Sequence, residues 1–350
     1  MRRFRCTAAA FAVGILLASL AAASAHAAGS AYVALGDSYS SGTGTRSYLN
    51  DGTSCQRSVY AYPSLIASSE GYALNFRACS GAVVADVTNL QLGALGAATT
   101  YVSITVGGND AGFASVLTEC AKPAWASNCN GAIDQSQSII TNQLPERLAT
   151  LYASIRSRAP QARVVVAGYP RLFNGEDCNL LTWFSAAEES RLNATAHLLN
   201  ARIKTAADAA GLLYRNPTSN FTGHAVCDDI EWINGLSNPT SESYHPNRAG
   251  HTFGYTPLVG AALSGSPVTV TPAAVQTAAA SAVRLTKQQR AYTAQDRLIR
   301  PKVFKIPNLN TLQIKKAAAR AGVDLTSQAS IDAADKRYAA EQAKQHQTRR

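Results

Sequence analysis

Five short apolar runs alternate with helical patterns over much of the chain. The runs cover residues 32–35, 73–77, 101–106, 163–168 and 212–215. Between the last two, an apolar side chain recurs every three or four residues over 185–210, which places one stripe on a helix; its members are Leu192, Ala196, Leu199, Ile203 and Ala207. Strands that alternate with helices predict an α/β fold, in which helices form layers on both sides of a five-stranded parallel sheet.

The first 27 residues have the pattern of a secretory signal peptide. Basic residues at positions 2, 3 and 5 precede an apolar stretch at 8–23, and Ala25-His26-Ala27 fits a cleavage site. This apolar stretch is too short and too early for a membrane span, and nothing else in the chain approaches one. We therefore expect a secreted, soluble protein that is cleaved near Ala27.

Basic charge is concentrated at the C-terminal end. Residues 266–350 hold 15 of the 32 Lys and Arg residues and 5 of the 22 Asp and Glu residues, so they account for the whole net charge of +10. A segment rich in Ser, Gly, Pro and Thr at 264–272 separates this part from the rest. The composition predicts one domain over 28–264 and a basic C-terminal extension over 265–350.

The extension allows two interpretations. Weak helical periodicity favours a small helical module, whereas its polar composition equally fits a disordered arm; the apolar positions are Leu309, Leu312, Val323, Leu325 and Ile331. Because few aromatic residues stand among the charges and no nucleic-acid motif occurs, we do not expect nucleic-acid binding. An anionic cell envelope or acidic polymer is one possible partner, and a solvated segment without a partner is the alternative.

Six cysteines remain when Cys6 of the signal peptide is set aside. An even number in an exported protein predicts disulfides, and six cysteines permit fifteen pairings. Sequential pairing closes the shortest loops and is the one we favour; the cysteines are Cys55, Cys79, Cys120, Cys129, Cys178 and Cys227. No two stand in a CxxC arrangement, so we do not expect a metal site.

The first apolar run leads into residues suited to nucleophilic chemistry. Gly36-Asp37-Ser38-Tyr39 follows it, and Gly36 permits a tight turn before a helix. Backbone N–H groups converge at such a point and favour the negative charge that develops when a serine attacks an ester carbonyl. The alternative is that Ser38 only caps the helix.

Three further groups follow in order along the chain. Gly81 comes after the second run, Asn109 lies in Gly107-Gly108-Asn109-Asp110 after the third, and His245 precedes a proline late in the chain. A turn glycine, a capping asparagine and a solvated histidine are each common. Because ligands bind outside the carboxyl ends of parallel strands, the combination predicts a site at that edge.

These four blocks resemble those of the GDSL esterase/lipase family, also called SGNH hydrolases. Ser38, Gly81, Asn109 and His245 match the four residues that name the family, although Tyr39 replaces the usual leucine. The resemblance covers about residues 31–262 and is greatest to the secreted actinomycete branch. It implies a flavodoxin-like, three-layer fold and three sequential disulfides: Cys55–Cys79, Cys120–Cys129 and Cys178–Cys227. We also expect a monomer.

The resemblance also implies a mechanism. Ser38 attacks the ester carbonyl, His245 accepts its proton, and the oxyanion is held by the N–H groups of Ser38 and Gly81 and by the Asn109 amide. No metal or cofactor is required. The family usually has an aspartate three residues before the histidine, and here that position is Glu242. Either Glu242 acts as the third member, or a backbone carbonyl of Glu242 or Ser243 orients the imidazole.

The expected function is therefore hydrolysis of carboxylic esters of lipids or short acyl chains. An esterase for acetylated polysaccharide and a catalytically weak cell-surface binding protein of the same fold are the alternatives. No Gly-x-Ser-x-Gly sequence occurs in the chain, which argues against the other common esterase fold.

Overall fold

A computed structural model describes residues 29–348 and contains the five-stranded parallel sheet. The sheet order is β2-β1-β3-β4-β5, and every neighbouring pair is parallel. Its strands are β1 (Ala31–Gly36), β2 (Ala73–Phe76), β3 (Tyr101–Thr105), β4 (Arg163–Ala167) and β5 (Leu213–Arg215). The predicted α/β class is confirmed, whereas the predicted signal peptide lies outside the described residues.

Helices cover the sheet. In chain order they are α1 (Ser38–Ser41), α2 (Tyr62–Glu70), α3 (Val84–Asp86), α4 (Phe113–Cys120), α5 (Cys129–Asn142), α6 (Leu144–Arg158), α7 (Ala186–Ala209) and α8 (Thr256–Ser264). Short π-helical segments span Val87–Gln91 and Gly250–Tyr255, and 3₁₀ turns span Leu92–Ala94 and Thr240–Glu242. Helix α2 packs against α8, and α7 packs against α5 and α6.

Helix α7 coincides with the predicted amphipathic stretch. Its N-terminus has a capping box, in which the Ser185 hydroxyl accepts a hydrogen bond from the Glu188 N–H and the Glu188 carboxylate accepts one from the Ser185 N–H. The five stripe residues are all buried, and they place α7 in the core.

Three disulfides link the loops around this core. They join Cys55 to Cys79, Cys120 to Cys129, and Cys178 to Cys227. The first connects the loop after α1 to the segment that follows β2, and thus lies two residues from Gly81.

The extension folds back onto the domain. Its described helices are α9 (Pro272–Ala280), α10 (Ala282–Arg290), α11 (Thr293–Asp296), α12 (Leu312–Ala321) and α13 (Gln328–Thr348). Helix α9 packs against α2, and Leu285, Ile299 and Phe304 join the main hydrophobic core. Helices α12 and α13 form a second cluster around Trp125. In the range 29–348, no helix has the length and apolarity that a membrane crossing requires.

Candidate active site

The turn after β1 places Ser38 at the carboxyl edge of the sheet. Gly36 has a φ of +116°, and a Cβ atom there would lie 2.2 Å from the Thr105 carbonyl oxygen on β3, so only glycine fits. Asp37 caps α1 by accepting a hydrogen bond from the Tyr39 N–H at 3.0 Å. Ser38 is the first residue of the helix, and its side chain faces the candidate site.

Ser38 and His245 form a hydrogen-bonded pair although 207 positions separate them. The Ser38 Oγ lies 2.9 Å from the His245 Nε2, and the His245 Nδ1 lies 2.9 Å from the Ser243 carbonyl oxygen. Because a carbonyl can only accept, Nδ1 carries the proton and Nε2 accepts from the Ser38 hydroxyl. This arrangement suits removal of the hydroxyl proton during nucleophilic attack.

Of the alternatives for the group that orients His245, the Glu242 carboxylate does not contact the imidazole. Its buried carboxylate instead accepts a hydrogen bond from the Tyr48 hydroxyl at 2.7 Å and lies 3.6 Å from Arg46 Nε. Glu242 ends a 3₁₀ turn, and the carbonyl of the next residue, Ser243, accepts the hydrogen bond from the imidazole. In this geometry, the backbone carbonyl of Ser243 orients the imidazole.

Burial keeps the imidazole neutral. Desolvation lowers the pKa of His245 to about 4, and the hydrogen bond to the Ser243 carbonyl opposes this only in part. At neutral pH, Nε2 is therefore unprotonated and able to accept a proton.

Asp37 joins the serine turn to two other elements. Its carboxylate accepts hydrogen bonds from the Thr105 hydroxyl at 2.7 Å and from the Tyr169 hydroxyl at 2.5 Å. Tyr169 in turn accepts from the Gly108 N–H at 3.2 Å, beside Asn109. Burial raises the pKa of Asp37 to about 6, although these hydrogen bonds lower it.

The roles of two tyrosines in this network were not predicted from the sequence. Tyr169 follows the fourth apolar run directly, and this strand-end position was the available signal. Tyr39 donates from its hydroxyl to the Tyr244 carbonyl oxygen at 2.9 Å and so ties the serine turn to the histidine loop. Nothing local in the sequence indicates that second contact.

The predicted oxyanion donors lie on adjacent loops. The Asn109 Nδ2 donates to the Ala82 carbonyl oxygen at 3.0 Å, which brings the third block against the second and leaves one amide hydrogen free of that bond. Gly81 has a φ of +87°. Among residues 29–348, no acceptor is bound to the backbone N–H of either Ser38 or Gly81. Both N–H groups therefore have no partner among the described residues.

A narrow, mostly apolar cavity adjoins Ser38, Asn109 and His245. Its volume is about 50 Å³, and its apolar wall comes from several helices and loops, with Phe113, Leu117, Ile140, Leu172 and Leu199 among its members. Two residues of the extension, Lys302 and Phe304, complete the lining. The sequence did not indicate this contribution.

A metal centre is not supported by the described part of the chain. The one cluster with suitable atoms consists of Cys178, Cys227 and Glu231, and its two cysteines are joined in a disulfide. A disulfide has no thiolate to offer a metal.

Comparison with known proteins identifies the family of this chain. The model of the GDSL-like Lipase/Acylhydrolase family matches residues 34–253. A lipase from Streptomyces rimosus is 42% identical over 235 residues, which make up 66% of this chain and 86% of the relative. These matches and the fold define an ester-cleaving serine hydrolase. The chain belongs to the GDSL-like lipase/acylhydrolase family.

Two solved structures extend the comparison. The extracellular lipase from Streptomyces rimosus has a TM-score of 0.63 at 39% identity, and phospholipase A1 from Streptomyces albidoflavus has a TM-score of 0.62 at 41% identity. Each match covers 67% of this chain and 99% of the other. About a third of this chain therefore has no counterpart in either structure, and the extension lies beyond the family match.

Proposed function

We propose that this enzyme hydrolyses carboxylic esters through an acyl-enzyme on Ser38. The observation that carries the proposal is the continuous hydrogen-bonded path from the Ser38 Oγ through His245 to the Ser243 carbonyl. His245 takes the hydroxyl proton as Ser38 attacks the ester carbonyl, and then gives it to the departing alcohol. Water follows the same route in reverse and releases the acid.

The oxyanion would be held by three donors in this scheme. These are the N–H groups of Ser38 and Gly81 and the side-chain amide of Asn109. Each is worth most when it is already in place before the charge develops. The Asn109–Ala82 hydrogen bond fixes the amide in advance and thus supports this role.

Lipid esters are the proposed substrate class. The wall of the cavity beside Ser38 is mostly apolar and suits a fatty acyl chain better than a sugar. The similar proteins are named lipase and phospholipase A1, which supports the same choice. Secretion is proposed from the N-terminal pattern of residues 1–27 and from the extracellular lipase among the similar structures.

Replacement of the nucleophile tests the reaction. We expect Ser38→Ala to lower kcat for p-nitrophenyl decanoate by about 10⁴-fold or more, because the acyl-enzyme cannot form. Ser157→Ala, an exposed serine on α6, is the matched control and should retain full activity. A fluorophosphonate probe should label the wild type and not Ser38→Ala; undiminished hydrolysis by Ser38→Ala would refute the mechanism.

A panel of substrates tests the proposed substrate class, lipid esters. Phosphatidylcholine, a triglyceride and acetylated xylan should be assayed with wild type and with Ser38→Ala. We expect Ser38-dependent release of fatty acid from at least one of the two lipids. Release of acetate from xylan alone would contradict the lipid assignment and leave the serine mechanism intact.

A further inference from the structure

An irregular segment of the extension crosses the active site. This segment, the strap, consists of residues 300–308 and lies between α11 and α12. A Cβ atom on Gly81 would lie 2.3 Å from the Arg300 carbonyl oxygen and 2.9 Å from Pro301, so the strap rests directly on the candidate oxyanion loop. Further along, the Phe304 ring packs edge-on against Tyr244, next to His245, at a centroid distance of 5.0 Å.

The N-terminal end of the strap is firmly anchored. Asp296 is fully buried and pairs with Arg57 at 2.7 Å and Arg77 at 2.8 Å, both of them fully buried side chains of the domain. Arg57 also pairs with Asp51 at 2.8 Å, and Arg77 donates to Gln289 at 3.0 Å. Removing one partner from such a buried set is strongly destabilising.

The C-terminal end is anchored as well. Ile314 on α12 and Ile331 on α13 pack with Trp125 of the domain. Trp183 donates to Asp332 at 3.1 Å, and the Ala124 N–H donates to Asp335 at 2.7 Å. These contacts bury both apolar and polar groups.

Between these anchors, the strap is held by the buried ring of Phe304 and by few hydrogen bonds. Within residues 29–348, its one hydrogen bond to the domain runs from the Lys305 N–H to the Thr118 hydroxyl at 3.0 Å. A segment with few hydrogen bonds and no regular structure opens at lower free energy than its surroundings. Because Phe304 is its single buried side chain, the strap can move when that ring is displaced, while both ends stay in place.

The cavity is too small for an acyl chain while the strap is in place. Its volume of about 50 Å³ has room for only a few water molecules. Sites for small organic ligands usually measure about 300–1,000 Å³. Since Lys302 and Phe304 form part of the lining, an outward shift of the strap would enlarge the cavity.

The strap and its flanks combine exposed apolar and cationic side chains. Leu298, Ile306 and Leu312 are 63%, 38% and 69% exposed. Five exposed basic residues stand among them, and none forms an ion pair with another described residue; they are Arg300, Lys302, Lys305, Lys315 and Lys316. Apolar side chains interspersed with cations are typical of segments that enter an anionic lipid interface.

We propose that the strap is a cover over the acyl site and that binding to an anionic lipid surface opens it. The cations bring the strap to the surface, and the exposed apolar residues enter it. Phe304 then leaves Tyr244, and the cavity becomes large enough for an acyl chain. This proposal rests on the proposed function for its substrate but not for its binding step.

Vesicle binding tests the surface without turnover. Full-length Ser38→Ala should bind phosphatidylglycerol vesicles and bind phosphatidylcholine vesicles much more weakly. Adding Lys302→Glu and Lys305→Glu should weaken binding to the anionic vesicles by about 30-fold. The control adds Arg158→Glu and Lys287→Glu, an equal change of charge at exposed positions elsewhere. Equal losses of binding in the two variants would contradict the strap as the lipid-binding surface, because binding would then follow net charge alone.

Activation tests the cover. The probe is p-nitrophenyl butyrate, assayed with and without vesicles of ether-linked phosphatidylglycerol, which offers no ester. We expect the vesicles to raise wild-type kcat/KM at least fivefold. The Lys302→Glu/Lys305→Glu variant should lose that activation, while Arg158→Glu/Lys287→Glu keeps it. If the wild type bound vesicles without a rise in kcat/KM, the proposal that the strap covers the cavity would be refuted.

A third variant loosens the cover directly. Phe304→Ala removes the contact with Tyr244, so we expect higher activity on the soluble ester without vesicles and a smaller activation ratio. Lower activity with an unchanged ratio would contradict the proposal. If the wild type cleaves no ester at all, the proposed function fails, whereas vesicle binding by Ser38→Ala still decides whether the strap recognises an anionic surface.

Discussion

The turn that carries Ser38 and the strap that lies across it differ in how each is held. Asp37, Tyr39 and Tyr169 fix the turn through buried hydrogen bonds to three other segments. Among the described residues, the strap has one hydrogen bond to the domain and one buried side chain, that of Phe304. Groups that stabilise a transition state work best when they do not need to reorganise, whereas a cover must move. The residues that would carry out the reaction are therefore fixed, whereas the segment that would control access to them can move.

The anchor of the strap should show the largest effect on stability. Asp296→Ala leaves Arg57 and Arg77 buried without their shared carboxylate, so we expect unfolding free energy to fall by about 3–5 kcal/mol. Urea denaturation followed by fluorescence measures it. Asp208→Ala removes an exposed pair with Lys204 and should cost about 0–1 kcal/mol. If the two variants lost similar unfolding free energy, Asp296 would not anchor the strap.

On the side of the turn, loss of one oxyanion donor should appear in turnover. Asn109→Ala removes an amide that the Ala82 carbonyl holds in place, and we expect kcat on p-nitrophenyl decanoate to fall by about 10²–10³-fold. Stability should change little, so denaturation and kinetics together separate the two effects. An exposed asparagine on α5, Asn142→Ala, is the control. A kcat within threefold of wild type would exclude Asn109 as a donor.

The pH profile reports whether the imidazole stays buried. Protonated His245 cannot accept the Ser38 proton, so activity should fall as pH drops through the pKa of the histidine. Burial lowers this pKa to about 4, and kcat/KM for a soluble ester should therefore hold down to about pH 5 and fall below it. Phe304→Ala, which opens the site to water, should move the midpoint upward. The pKa of Asp37 is raised to about 6, so Asp37→Asn is the control: a midpoint near 6.5 that persists in this variant would mean that the histidine is solvated.

Sequence reasoning succeeded where the signal was local. The apolar run 32–35 followed by Gly36 identified a strand and a tight turn, and Ser38 had to follow at the edge of the sheet. The pairing of Ser38 with His245 joins residues 207 positions apart, and only the family resemblance indicated it.

The extension shows why the rest could not be predicted. Of the five apolar positions that gave weak periodicity, Leu309, Val323, Leu325 and Ile331 pack around Trp125, whereas Leu312 is exposed. Whether such a stripe is buried depends on a partner surface more than 150 residues away. The contacts of the strap with Gly81 and Tyr244 likewise depend on tertiary packing, and Phe304 carries no local mark of its position.

Glu242, on the loop that carries His245, gives the smallest expected effect and decides which group orients the imidazole. Its carboxylate bonds Tyr48 and not His245, so Glu242→Gln should keep kcat within about threefold and leave the pH midpoint unchanged, because glutamine still offers an oxygen to the Tyr48 hydroxyl. In a Ser-His-Asp triad the corresponding amide substitution costs about 10⁴-fold in kcat, since it imposes the wrong tautomer. Glu146→Gln on the surface of α6 is the control. A loss of kcat approaching that size would mean that the Glu242 carboxylate orients His245. A kcat close to that of the wild type would support the Ser243 carbonyl as the group that orients the imidazole.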